Sequence, residues 1–447
     1  MDFADPARVD RQIEETAQGL TRWRQRLRDT PAAAQEHDPF VGRRGISTRA
    51  ALQSAQSLPD SLPGKDAIAR WIAFLTIERV TLEDLVELET TRRAANHVVQ
   101  RLGRQAWSLR DLGLEAVMHP DPERRALASD GLVWRADDVS SNALWWQARR
   151  HEAAIQLGLA SLAELEAPFA PDTHADALAS IVLDETEDLA RDIIGKGKAW
   201  HDALALGVAS DALEGWPSKL TARWLQELFG DTPMLQGLKI APGTLPPARN
   251  GASFARAMTR FGAALHRAAA RALCPMFTLS QQPYDAAPAS YGALFASLLA
   301  TPAFLRRRLG LGAATTLPHQ RAIARALLIG LRLTAAKTVV ASRENDTAAR
   351  EAHASWVSRA ICASAPGDLA GLLPRYEPRS AAFLAGAIAG ATLRDELTSS
   401  FDEDWFDNPR GQARLREVDV TARLLVSEAQ ARAGAKAALR FLGEPFR

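Results

Sequence analysis

Apolar residues recur along almost the whole chain with the 3.6-residue period of an amphipathic helix, while the alternation of a half-buried strand is scarce. The pattern predicts an all-α fold. Its first helix has a clear start, with Asp5 placed to cap, Pro6 at the first helical position, and Val9, Ile13, Leu20 and Leu27 along one face. A Pro/Gly/Ser-rich stretch from Thr30 to Lys65 reads as a long connection. Thr81 with Asp84 forms a capping-box pattern for a helix running to about Leu102, and Ser108 with Asp111, then Asp121 with Pro122, open two shorter ones. Further helices are expected near 141–157, 173–206 and 218–229. The segment from Met234 to Asn250 is irregular, and a compact series follows at about 252–273, 288–309, 318–342, 346–363, 380–397 and 411–441. The organisation is therefore an N-terminal helical region over 1–175 and a second helical domain over 176–447.

Composition adds exclusions. Of the 447 residues 47% are hydrophobic and 24% charged, the make-up of a globular chain with a large core rather than a disordered one. Lys and Arg number 54 against 53 Asp and Glu, so there is no long-range field to gather nucleic acid or anionic lipid. The most apolar run, Ala381 to Leu393, is too short to span a bilayer and rich in Gly and Ala, so it is expected to be a buried, closely packed helix. The opening MDFADPARVD has the acids and proline that a secretory leader lacks. Cys274 and Cys362 sit in apolar helical contexts, as free thiols do in a reducing compartment. Together these predict a soluble, cytoplasmic protein. The tryptophans, concentrated before position 225, are expected to be core residues at helix crossings.

Recognisable catalytic motifs are missing. A zinc hydrolase helix needs two His at i and i+4 with a Glu between them. No two of the nine histidines lie closer than His97 and His119, and His151-Glu152 has Ile155 where the partner would stand. The nucleophile elbow G-x-S-x-G and the phosphate loop G-x-x-x-x-G-K-[ST] are both absent. The acidic run Asp184, Glu185, Glu187, Asp188 reads as a solvated helix face, and Arg306-Arg307-Arg308 as the cationic end of a helix.

One combination of segments stands out. Thr259 to His266 reads TRFGAALH and resembles the zinc helix HEFGHALH of the thimet oligopeptidase and oligoendopeptidase F metallopeptidases. Phe261, Gly262, Ala264, Leu265 and His266 match. The zinc histidines fall on Thr259 and Ala263, and the catalytic glutamate falls on Arg260. Tyr284 to Ser290, YDAAPAS, is similar to the family's DFVEAPSQ, with Ala286 at the third zinc ligand and Asp285 beside it. The segment RSAAFLAGAIAG stands where the family carries its transition-state tyrosines, leaving Arg379, Phe383 and Gly386 among the replacements, and the closing ALRFLGEPFR resembles LKRFLGREP. The resemblance covers roughly 184–447 in consistent order. The second-ranked resemblance is to carboxypeptidases of the Taq type.

The resemblance implies a large multi-helix, neurolysin-like body with a central cleft, in which 176–447 is a degenerate metallopeptidase-like domain. Zinc in that fold needs three protein ligands and a carboxylate base. Thr, Ala and Ala offer one weak oxygen among them, and Arg260 puts a fixed cation where the base stood. These losses imply a non-catalytic protein holding no metal or cofactor, whose cleft binds a peptide or protein partner or serves as scaffold. An active metallopeptidase or other hydrolase with an unrecognised site is the alternative. Thr259, Arg260 and Ala263 are expected on one helix with Ala286 at the start of the next, and Arg260 is expected to pair with Asp285, Glu351 or Asp395.

Overall fold

The computed structural model describes residues 5–30, 37–102, 105–195, 197–208, 220–230, 232–373, 375, 378–420 and 423–447. The architecture is all-α, with one two-stranded antiparallel hairpin, Gln100–Leu102 paired with Gln105–Trp107, among the described residues. Among the described residues no helix is long and apolar enough to cross a membrane.

Local signals set many boundaries. Asp5 accepts from the amides of Ala7 and Arg8 and starts the Pro6–Asp29 helix. The Ser108/Asp111 capping box forms at the head of Leu109–Met118, and Asp121 caps Pro122–Trp134. Thr81 behaves differently. The Lys65–Val80 helix runs straight into it, so its hydroxyl donates back to the Ile77 carbonyl and no side-chain cap forms for Leu82–His97. That helix stops before the β-branched pair Val98-Val99, which leads into the hairpin, and does not reach Leu102. Within the stretch read as one long connection, Thr48 caps a helix over Arg49–Gln56. The expected 173–206 helix is three: Ala175–Glu185, Glu187–Ile194 and Trp200–Leu206. Thr186 donates to the Val182 carbonyl at the first break, and Gly195 takes φ of 82° at the second. Near 218–229 the helix is Ala222–Phe229, capped by Thr221, while Ser218 lies outside the described residues.

In the C-terminal half, Gly251–Leu273, Ala287–Ser297, Ser380–Phe401 and Glu428–Gly443 lie against one another in that order. Small residues let their backbones touch. Gly262 meets the Tyr291 carbonyl, Gly386 and Gly390 meet Ala289 and Ser290, and Gly434 meets Ile388. The Gly/Ala-rich run from Ala381 is thus a closely packed helix, as its composition predicts. The long Ala313–Ala341 helix packs across Ala175–Glu185 and Ser380–Phe401. The single helix expected over 411–441 is two, Pro409–Arg414 and Glu428–Gly443.

The buried apolar side chains form one cluster that continues across position 175. Asp10 ties the first helix to the C-terminal half by accepting from the amides of Phe277 and Thr278 and from the Thr278 hydroxyl. Trp23, Trp71, Trp146 and Trp405 are core residues, but Trp134 and Trp145 are exposed, and the Trp145 indole donates to Asp84. Cys274 and Cys362 are free and half-buried.

Candidate functional site

The spacing i, i+4, i+7 puts Thr259, Ala263 and His266 on one stripe of the Gly251–Leu273 helix. Thr259 is half-buried, Ala263 and His266 are buried, and the helix packed against this stripe is the one Ala286 begins. The positions that resemble a zinc site therefore lie on two directly packed helices, as expected. Their space is taken up by packing: Gly292 abuts Thr259, Ala286 is fully buried, and the His266 ring stands edge-on to Tyr291 with centroids 4.9 Å apart. Burial, assisted by Arg267, lowers the His266 pKa to about 4, and its Nδ1 has no hydrogen-bond partner among the described residues. Among the described residues no group of three or more His, Cys, Asp or Glu is arranged to hold a metal ion.

Arg260 corrects an expectation. It points outward on the face it shares with Arg256, and among the described residues it forms no ion pair. Asp285 is not its partner. The Asp285 carboxylate is turned inward, where burial raises its pKa, and it accepts from the Ala287 amide. The cations acting on it are Arg423 and Arg70, and it acts in turn on Arg267. Asp395 pairs with Arg440 instead. Arg379 and Phe383 are both exposed at the start of Ser380–Phe401, with Arg379 near enough to Arg267 to lower its pKa.

Tyr284 has φ of 54°, a left-handed backbone that a bulky residue holds only when its surroundings impose it. Here its buried hydroxyl accepts from the Arg150 guanidinium at 2.7 Å. Arg150 is fully buried and also bonds Glu78, at 2.6 Å, and Glu166, while Arg24 bonds Glu78 from the other side. Two carboxylates share Arg150 and part ways. Burial opposes ionisation of Glu78, but Arg24 and Arg150 together outweigh it and lower its pKa, whereas burial dominates at Glu166 and raises its pKa. Sequence reasoning missed this network because Arg150, Glu78 and Glu166 lie on separate elements and match no local motif.

Beside the network opens a cavity of about 830 Å³, within the size range of ligand pockets. Its walls come from 162–176, His151, the C-terminal end of Ala313–Ala341, Ala381 and Leu425, with Arg70, Arg343, Arg423, Glu164, Glu166 and Asp176 as charged members. The 168–170 segment is laced to Val426, which donates to the Pro168 carbonyl and accepts from the Ala170 amide, and this closes one side. Thr259, Arg260, Ala263, His266, Tyr284, Asp285, Ala286, Arg379 and Phe383 are not among its lining residues, although Pro378 and Ala381, on either side of Arg379, are. No protein-family model matches this chain, and no curated protein matches it.

Proposed function

We propose that this chain is a degenerate relative of the thimet oligopeptidase and oligoendopeptidase F metallopeptidases that binds a peptide or protein segment without cleaving it, in the cytoplasm. The supporting observation is the separation of the two places. The helices that resemble the zinc site are packed backbone to backbone at Gly262, Tyr291, Gly292 and Thr259, while open volume with apolar and charged walls lies alongside. Apolar walls with a few converging polar groups suit a short extended peptide.

The test is a labelled peptide library presented to the purified chain, with and without added zinc. Saturable binding without turnover is expected. Tight stoichiometric zinc, or cleavage dependent on it, overturns the proposal.

A hydrolase of another class is the alternative, and one observation favours it. Glu166 lines the cavity with a raised pKa while Glu78 nearby is held ionised, a divergence of the kind that separates an acid from a base. Turnover of a quenched-peptide library that disappears in Glu166→Gln would establish this reading. Intact peptides throughout would sink it.

A further inference from the structure

Most charges on the cavity wall are already matched. Arg343 pairs with Asp176 at 2.6 Å, Glu166 is bound by Arg150, and Glu164 accepts from the Ala160 amide. Arg70 and Arg423 are different. Arg70 donates to the neutral Gln282 side chain. Arg423 donates to two backbone carbonyls, of Leu165 at 3.1 Å and of Tyr284 at 3.3 Å, and its buried Nε has no acceptor among the described residues. Both arginines thus fasten to the 282–284 turn from the cavity side, and the carboxylate they share is Asp285. Arg267 draws on that same carboxylate, and Arg379 stands near Arg267. Three guanidinium groups, those of Arg70, Arg423 and Arg267, therefore share the field of Asp285, with Asp66 beside Arg70.

Such crowding costs energy. Burial and the repulsion from Arg70 lower the Arg423 pKa to about 10, with Asp285 opposing, and burial and Arg379 do the same at Arg267. A guanidinium keeps its proton at neutral pH regardless, and among the described residues no carboxylate is hydrogen-bonded to Arg70 or Arg423 at the cavity wall. Arginine's planar fork matches a carboxylate with two parallel hydrogen bonds.

We propose that Arg70 and Arg423 form a carboxylate-binding subsite at the cavity wall, so that the ligand is a peptide anchored through a carboxylate. This inference rests on the peptide-binding reading above. The carboxylate has two sources, a Glu or Asp side chain or the peptide's own C-terminus. A singly charged carboxylate suits the site better than phosphate, because Asp285 would repel a second negative charge.

The probes are fluorescein-labelled hexapeptides of alanine and leucine, carrying one central Glu or Gln, each with a free or amidated C-terminus. Inorganic phosphate and propionate serve as competitors. Against the full chain, at least one carboxylate-bearing peptide should bind tenfold or more tightly than the amidated Gln peptide. The advantage should shrink as salt rises, and Arg70→Gln and Arg423→Gln should each reduce it about tenfold. The amidated Glu and free Gln peptides tell which carboxylate is recognised. Arg423→Lys keeps the charge but loses the fork, and should keep the fold while losing most of the preference; the wild-type comparison needs no variant at all. Equal binding of all four peptides overturns the subsite and leaves the peptide-binding reading standing. Propionate binding that is sensitive to Arg423→Gln, with no peptide bound, upholds the subsite and ends the peptide reading. Phosphate displacing the carboxylate-bearing peptide at lower concentration than propionate overturns the choice of carboxylate, and no binding by any probe overturns both.

Discussion

Gly292 lies against Thr259 so closely that a Cβ on Gly292 would stand 2.8 Å from the Thr259 carbonyl oxygen and 2.9 Å from its Cγ2. Neither helix can yield without disturbing its other neighbours, since Ala287–Ser297 is held on its far side by Gly386 and Gly390. Gly292→Ala should therefore destabilise the protein by about 2 kcal/mol through overpacking. Gly262→Ala, which meets the Tyr291 backbone, should cost at least as much. Adding Thr259→Ser removes the Cγ2 conflict but not the carbonyl one, so it should restore only part of the loss from Gly292→Ala. Urea-denaturation midpoints check all three, and a neutral Gly292→Ala would refute this packing.

Arg150 is the shared counter-charge of Glu78 and Glu166, and all three are buried. Arg150→Met strands Glu166 and leaves Glu78 with Arg24 as its remaining counter-charge, and should cost on the order of 3–5 kcal/mol. Unfolding free energies of the variant and the parent at pH 7 measure this. A loss below about 1 kcal/mol would mean that water reaches the network.

Arg260 points to solvent and makes no ion pair among the described residues. Arg260→Ala should stay within about 0.5 kcal/mol of the parent. Combined with Asp285→Ala the effects should add, since the two side chains do not meet. A coupling energy well above about 0.5 kcal/mol in a double-mutant cycle would contradict the structure.

Stability should depend on pH through His266. Its ordinary pKa is 6.5, the value that applies in the unfolded chain, and in the folded protein burial lowers it to about 4. Between those values the unfolded state binds more protons, so stability falls as pH falls from 6.5 and this contribution is fully lost near pH 4. The full gap corresponds to about 3 kcal/mol. His151 and His353, whose pKa values burial also lowers, act in the same direction. His266→Leu should flatten the stability profile between about pH 6.5 and 5, where carboxylates contribute least. An unchanged slope would show that His266 is already protonated in the folded state.

The period of the apolar positions determined the all-α class, and the caps at Asp5, Ser108 and Asp121 determined where helices begin, because both depend on neighbours within one turn. The smallness of residues along 381–393 likewise announced a close-packed helix. Contacts across the chain were decided only by the tertiary structure. Thr81 carries a capping signal that the preceding helix overrides by claiming its hydroxyl for Ile77. Arg260 and Asp285 are a reasonable pair in sequence, yet one faces solvent and the other a cluster of arginines, because the direction of a side chain depends on which helix face is buried. Arg150, Glu78, Glu166 and Tyr284 come from four separate segments, and Arg70 and Arg423 are 353 positions apart. A buried charge is stable only where its partner arrives, and that arrival is a property of the packed molecule, which no local pattern encodes.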